Sequence, residues 1–417
     1  MTPEIKQRIA QLNNGEVPSG YEKTEFGIFP KDWILKTIGE VSLVKGSYGL
    51  NAPACVYEEG LPKYLRITDI DENGNYINND AYVNHKESKN YILHENDIVF
   101  ARTGASVGKN YLYSSKDGEL SYAGFLIKFS IDETKCVPYM VKANCRGTRY
   151  DKWVQIMSTR SGQPGINAEE YADFCLIVPN SIEEQSKIAE ILMKWDEAIK
   201  FQESYNDYLE TRKTYLMRKL LSPSEEWKRA KLGDIAEMYA GGTPSTKIPE
   251  YWGGDIPWIQ SGLIQNNYID INCIDGRITE QGLKNSSTDW IRKNSVLIAI
   301  TGATCANIAY LKCDATANQS VISITTSYVN PLYLYFYLQN ARNQLLSLQN
   351  GSAQGGLTLK YLESFEIMFP GKDEQNRTVD ILLSVDDEIA LNKDKIEKLK
   401  KQRKALQQYL LNGIVRV

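Results

Sequence analysis

The sequence predicts an α+β protein made of two similar halves. Each half is a mixed α+β domain followed by one long helix, and the two helices pair as an antiparallel coiled coil with internal pseudo-two-fold symmetry. Three observations carry this. Phrases of the first half return in the same order in the second. Short β-type runs alternate with helical stretches inside each half. Each half then closes on about forty residues without glycine or proline, dense in Glu, Lys, Gln and Leu.

The repeat is read directly. "DWILKTIGEVSLVKG" at Asp32 aligns with "EWKRAKLGDIAEMYAGG" at Glu226, which sets Trp33 against Trp227 and Gly39 against Gly233. Thr103-Gly104-Ala105-Ser106 faces Thr301-Gly302-Ala303-Thr304. Near each end, "GQPGINAEEYADFCLIVPNSIEEQSKIAEIL" (162–192) faces "AQGGLTLKYLESFEIMFPGKDEQNRTVDILL" (353–383), pairing Pro179 with Pro370 and Glu184-Gln185 with Glu374-Gln375. A period of half the chain marks a duplication, not a solenoid. The expected organisation is an N-terminal arm over 1–30, a first domain over 31–180, a first long helix over 181–224, a second domain over 225–370 and a second long helix over 371–417.

Within the domains, "YLRITDI", "DIVFAR", "FLIKFSI", "VLIAITG" and "SVISITT" read as strands, punctuated by Gly, Asn and Asp. "PYMVKANCRGTRYDKWVQIM" and "PLYLYFYLQNARNQLLSL" read as helical, each with proline in its first turn. In the long helices, Ser181 precedes Glu184 at capping-box spacing. Ile389, Ile396, Arg403 and Leu410 recur at sevens, as do Asn392, Leu399 and Leu406. Ile199, Leu209, Leu216 and Leu220 take the equivalent seam in the first helix, and Asn206, Lys213 and Arg403 are polar intruders of the kind that fix register. A long polar helix needs packing to persist in water. Each is therefore expected to pair with the other, as a spacer of roughly 60 Å at most; the alternative is that each packs on its own domain.

Bulk properties exclude several classes. The chain has 417 residues, 42% hydrophobic and 24% charged, with a net charge of −4. No long segment is strongly basic, so if the chain binds nucleic acid, much of the phosphate neutralisation falls to a partner. No run of eighteen apolar residues and no signal-peptide core is present, which favours a cytoplasmic protein without membrane contact. Seven cysteines (55, 136, 145, 175, 273, 305 and 313) lack any Cys-x-x-Cys pairing and read as reduced thiols. With only His85 and His94 besides, no metal site is expected.

"NDIVFARTGASVGKNYLY" (96–113) looks at first like a phosphate-gripping loop. A Walker loop needs four residues between its glycine and Gly-Lys, then Ser or Thr. Here the gap is one short, Asn110 follows Lys109, and the second copy has Asn307 in place of the lysine. What both copies share is a strand running into a Thr-Gly turn, where glycine serves either positive φ or close backbone approach. Asn330-Pro331-Leu332-Tyr333 resembles the Asn-Pro-Pro-Tyr motif of amino-methylating DNA enzymes, but lacks the second proline and any preceding glycine-rich cofactor loop. Asp386-Asp387 reads as solvated helix face. No nucleophile elbow, zinc-protease motif or Cys/His pair appears in either half, and a duplicated enzyme should duplicate its catalytic groups.

A two-headed binder remains, and a duplex with two half-sites is the ligand that fits. The candidate contacts are aromatic, amide, hydroxyl and basic side chains at loop edges. They are Tyr64, Arg66, Arg102, Ser106, Lys109 and Gln163 in the first half, and Trp258, Gln260, Ser261, Thr304, Asn318, Gln319 and Gln354 in the second. For any one of them a loop-packing role is at least as ordinary as a base contact.

The phrases "FGIFPKDWILKTIGEV", "FCLIVPNSIEEQSKIAEIL", "EWKRAKLGDIAEM" and "FEIMFPGKDEQNRTVDILL", in this order, resemble the specificity subunits of type I restriction-modification systems. "IVPNS" and "MFPGK" lack the second proline often found before the Glu-Gln. The resemblance implies two target-recognition domains, each reading one half of a bipartite, asymmetric double-stranded DNA site, and conserved spacer helices that dock two modification (methyltransferase) subunits. It implies that those partners bind S-adenosylmethionine, that restriction subunits use ATP and Mg to translocate and cut, and that this chain is non-catalytic and binds no cofactor. It also implies that the N-terminal segment packs near the spacer's end. The rival reading is a self-contained nucleotide- or S-adenosylmethionine-dependent DNA-modifying enzyme.

Overall fold

The computed structural model describes residues 2–77, 80–159, 165–347 and 356–417. The chain forms two compact units, Met1–Phe201 with Ile396–Val417, and Gln202–Lys395. Each therefore contains one α+β head and a portion of both long helices.

In unit 1 an antiparallel sheet runs Ser47–Tyr48, Leu126–Ser130, Asp97–Ala101, Asn110–Leu112. Asp97–Ala101 is buried along its whole length, as the apolar run Ile98–Ala101 requires. Lys63–Leu65 pairs in parallel with Leu120–Tyr122, and Trp33–Thr37 pairs antiparallel with Cys175–Pro179. Unit 2 repeats the plan. Its five-stranded sheet runs Glu237–Ala240, Val321–Thr325, Val296–Ala299, Ile308–Leu311, Asn267–Ile269. Trp252–Ile259 pairs in parallel with Thr316–Ala317, and Lys228–Lys231 pairs antiparallel with Glu366–Phe369.

The Thr-Gly turn owes its glycine to backbone conformation. Gly104 and Gly302 have φ of 70° and 71°, and a Cβ at either would meet nothing within 4 Å. Of the two reasons open from the sequence, positive φ holds and close approach does not. The whole segment is duplicated at backbone level. Asn96, Gly104 and Gly108 are left-handed (72°, 70°, 90°), and so are Asn294, Gly302 and Ala306 (69°, 71°, 60°).

The two helical stretches are each broken. Pro138–Asn144 and Thr148–Ser158 are separated at Gly147, whose φ is 132°. Pro331–Asn340 is followed by Arg342–Ser347. The apolar pattern runs through both breaks, so periodicity alone could not place them.

The Glu-Gln phrase has a structural cause. Gln185 is fully buried; its amide donates to the Pro179 carbonyl (2.8 Å) and its carbonyl accepts from the Val137 N–H (2.9 Å). Gln375 does the same between the Pro370 carbonyl (2.8 Å) and the Asn330 N–H (2.8 Å). One side chain thus ties the end of an edge strand to the start of a head helix and satisfies two backbone groups that burial would otherwise orphan.

The long helices are Ile182–Leu220 and Lys372–Leu411, and Ser181 Oγ accepts from the Glu184 N–H at 3.3 Å. They pack together antiparallel. In unit 2, Gln202 bonds Asn392, Tyr205 bonds Glu388 and Lys213 pairs with Asp386, so rising numbers on one helix meet falling numbers on the other. None of the nine predicted seam residues is exposed: Ile199, Leu209, Ile389, Ile396 and Leu410 are buried, and Leu216, Leu220, Leu399 and Leu406 are partly buried. Packing on the heads holds as well. Ile188, Leu192 and Leu410 join the core of unit 1, while Leu221, Val379 and Leu382 join that of unit 2.

Asp386 is not the solvated residue its sequence context predicted. It forms a 2.6 Å ion pair with Lys213 and accepts from the Tyr268 hydroxyl at 2.7 Å. Burial and this carboxylate together push the Tyr268 phenol well above its ordinary pKa.

The N-terminal arm, helix Pro3–Asn13 and hairpin Tyr21–Thr24/Gly27–Pro30, meets the end of the second long helix, as the family resemblance implies. Tyr21 donates to the Gly413 carbonyl and Arg8 to the Ile414 carbonyl, both at 2.5 Å.

Candidate nucleic-acid interface

In each head, four loop segments are laced into a rim where strands end. In unit 1 the Ala123 N–H donates to Leu65 O (2.9 Å), the Arg102 N–H to Phe125 O (3.0 Å) and the Ile166 N–H to Arg102 O (2.9 Å). These bonds bring the segments around residues 66, 102, 124 and 166 together. In unit 2 the Asn318 N–H donates to Ile259 O (2.9 Å), the Ile300 N–H to Ser320 O (3.0 Å) and the Leu357 N–H to Ile300 O (3.0 Å). The bonding pattern is the same, so Arg66 corresponds to Gln260, Ala123 to Asn318, Phe125 to Ser320 and Arg102 to Ile300.

The side chains on the two rims differ in kind. Arg102 of unit 1 lies over the Tyr48 ring, 4.9 Å from guanidinium carbon to centroid, and the Tyr48 hydroxyl accepts from the Ala168 N–H at 3.3 Å. Among the described residues no hydrogen-bond acceptor meets this guanidinium, and Phe125 stands beside it, 56% exposed. A cation held over an aromatic face keeps its donors pointed outward. Arg66 is different: its N–H, Nε and Nη2 all bond Asp69 at 2.9 Å, so its fork is spent inside the loop. That carboxylate raises the Arg66 pKa further. On the unit 2 rim, Gln260 is exposed and Gln319 accepts from the Thr243 hydroxyl. Asn318 Oδ1 accepts from the Ser320 N–H at 3.1 Å, and Ser261 is half-buried next to Gln260. Among the described residues this rim is amide chemistry without an arginine.

Other candidates fall elsewhere. Tyr64 is 3% exposed, and its hydroxyl donates to Leu50 O (2.5 Å) and Ala52 O (3.2 Å). Trp258 is buried and its indole N–H donates to Gly242 O (2.9 Å). Both belong to the interior, because their strands sit inside the head. Lys109 is held by Glu72 (2.7 Å) and the Ile70 carbonyl (3.4 Å). Its counterpart Asn307 reaches the equivalent Ile264 carbonyl (3.2 Å), which explains how the lysine can be exchanged: the tie is kept and the charge is not. Ser106 and Thr304 close the Thr-Gly turns, both half-buried. Gln163 and Gln354 lie outside the described residues. Tyr48 and Phe125 escaped sequence reasoning. Phe125 heads an apolar strand run, and nothing in such a run says that its first residue faces out.

The model of the type I restriction modification DNA specificity domain matches twice, at residues 30–211 and 224–401. The chain belongs to this family. Full-length similarity extends to a putative type I restriction enzyme MjaX specificity subunit of Methanocaldococcus jannaschii, 24% identical over 95% of this chain and 97% of the relative. The MjaIX specificity subunit of the same organism is 34% identical over 42% of this chain, a match that spans 42% of that relative's length. The EcoR124I/EcoR124II specificity subunit of Escherichia coli is 33% identical over 40% of this chain and 43% of its own. The fold resembles the crystal structure of a type I S subunit from M. genitalium (TM-score 0.61, 15% identity, 91% of this chain and 96% of that one). It also resembles a chain from a study of complex assembly and conformational transition of the type I R-M system (TM-score 0.59, 14% identity, 93% and 99%).

The long helices of this specificity subunit also carry apolar side chains turned to solvent. Met193 and Phe201 are exposed in unit 1, and Tyr208, Tyr215, Ile381 and Leu391 in unit 2. Phe201 (73%) and Leu391 (71%) stand at the same 190-residue offset that separates Gln202 from Asn392. Among the described residues no helix is long and apolar enough to cross a membrane.

Proposed function

We propose that this specificity subunit reads a bipartite, asymmetric DNA site, one half-site per head, and carries out no chemistry itself. The observation behind this reading is the pair of rims: one hydrogen-bonded frame bears an arginine–aromatic set in the first head and an amide set in the second. Arginine forks suit guanine, and Asn or Gln amides suit adenine, each worth about 1–3 kcal/mol of discrimination when bidentate. A shared frame with unlike readers fits unlike half-sites.

In this reading the exposed apolar residues of the long helices dock two modification subunits, since three of them are aromatic and one is methionine, side chains enriched at protein interfaces relative to the rest of the surface. In this reading S-adenosylmethionine serves the modification subunits, ATP and Mg serve the restriction subunits, and phosphate neutralisation is shared with them, consistent with the net charge of −4.

Selection of bound duplexes by the reconstituted methylating complex tests the reading. A two-part consensus is expected. Arg102→Ala should relax one half only, and Gln260→Ala the other half only. A single contiguous consensus, or relaxation of both halves by either variant, defeats it.

A further inference from the structure

In unit 1 the end of the chain fills a cradle of two carboxylates and a tryptophan. Arg416 forks onto Asp32 at 2.7 and 3.0 Å and onto Glu184 at 2.5 and 2.9 Å, with its guanidinium carbon 6.0 Å from the Trp33 ring centroid. These contacts leave the Glu184 side chain only 11% exposed and Trp33 3% exposed. Glu184 and Asp32, by hydrogen bonding and charge, hold the Arg416 pKa above its ordinary value. Two planar carboxylates and an aromatic face select guanidinium over ammonium, because only the former can fork onto both.

Unit 2 repeats the cradle without the arginine. Glu226, Trp227 and Glu374 occupy the places of Asp32, Trp33 and Glu184: Trp33 opens its edge strand and Trp227 immediately precedes its own, and each glutamate precedes the buried glutamine. In this unit the chain leaves the long helix at Leu220 and enters the head directly, so among the described residues no tail lies across the site. An open pocket of about 640 Å³ remains, lined by the three cradle residues together with Lys219, Arg377 and Ile381. Glu226 and Glu374 are exposed, and among the described residues no ion pair meets either carboxylate, although Lys219 and Arg377 stand nearby.

We propose that the Glu226–Trp227–Glu374 cradle receives an arginine side chain from a modification subunit, as its counterpart receives Arg416. The inference rests on the reading that this chain assembles with such subunits. Two exposed carboxylates flanking a tryptophan complement a guanidinium, and an occupied copy of the same site lies in the same molecule: the duplication kept the receptor and left one of the two without its own ligand.

The probe is the peptide LLNGIVRV, the sequence of residues 410–417, against the full chain labelled with 5-fluorotryptophan, the Trp227 signal being assigned with Trp227→Phe. The peptide should move the Trp227 resonance, and the same peptide with glutamine for arginine should not. Glu226→Gln with Glu374→Gln should abolish the shift. In a second arm, modification subunit should move the same resonance, and the double variant should bind it at least tenfold more weakly than wild type. An unmoved Trp227 signal, equal response to both peptides, or equal affinity for the modification subunit overturns the proposal. If the peptide arm succeeds and the subunit binds neither chain, the assembly reading falls with the named occupant.

Discussion

In unit 1, Asp196 of the first long helix is held by Arg403 of the second at 2.8 Å and accepts from the hydroxyl of Tyr139. In unit 2 the corresponding Asp386 is held by Lys213 at 2.6 Å and accepts from the hydroxyl of Tyr268. The carboxylate and the cation are duplicated positions. The tyrosines are not: Tyr139 sits on the head helix Pro138–Asn144, and Tyr268 on the strand Asn267–Ile269. The tie between the helices descends from the repeat, while each head found its own hydroxyl for the remaining carboxylate lone pairs. Around that joint the heads diverge further. Lys142 of unit 1, 9% exposed, has Tyr335 as its counterpart in unit 2, fully buried among Tyr268, Tyr310 and Phe336. Unit 1 therefore seats three cations, Lys142, Arg146 and Arg403, near Asp196, where unit 2 has an aromatic cluster. A buried ion pair is a weak source of net stability but a costly thing to break.

This contrast can be broken experimentally. Asp196→Ala should be the most damaging change, costing about 4 kcal/mol in denaturant unfolding because it strands the buried Arg403 beside two further cations. Asp386→Ala should cost less, since Lys213 can reach water more readily. Equal losses would show that the extra cations of unit 1 carry no energetic weight.

Lys142→Met should instead stabilise unit 1. Burial, assisted by Arg146 and Arg403 and opposed by Asp196 and Asp71, pushes the Lys142 amine down to about 8. A base with a depressed folded pKa binds its proton less tightly in the folded state, so keeping it charged costs stability below that value. The cost is complete below about pH 8 and is relieved as pH rises toward the unfolded value. At pH 7 the variant should gain about 3 kcal/mol at most, a gain that shrinks between about pH 8 and 10.5. Thermal melts across that range check the sign.

Gln185→Ala and Gln375→Ala should each cost about 2 kcal/mol, because each leaves a buried carbonyl and a buried N–H without partners. Here the units should agree, and a large difference would mean that the two ties are not equivalent. The smallest effect is expected from Arg416→Ala. It should lower stability by about 1 kcal/mol, less in high salt, since Asp32 is exposed and the pair is screened. Only unit 1 should respond.

Much of this arrangement was legible in the residues. Left-handed Gly104 with its copy Gly302, the proline-led helices and the sevenfold spacing of Ile389, Ile396, Arg403 and Leu410 are local demands of backbone geometry and helix period. The candidate site was legible in part. Arg102, Gln260, Asn318 and Gln319 stand on the rims, but Arg66 spends its fork on Asp69, and Tyr64 and Trp258 turn inward. Loop-edge position does not say which face of a short strand is covered, because that depends on strands distant in the chain.

The sequence by itself determined that there are two heads, two rods and one ancestral plan, since periodicity and recurrence need no knowledge of what lies nearby in space. Only the tertiary structure decided that Gln185 and Gln375 fasten strand to helix, that Asp386 is an anchor, and that one of two matching cradles is filled by Arg416. Those facts arise from pairings across tens to hundreds of residues, where the partner's identity and geometry, not the local chain, set the energy.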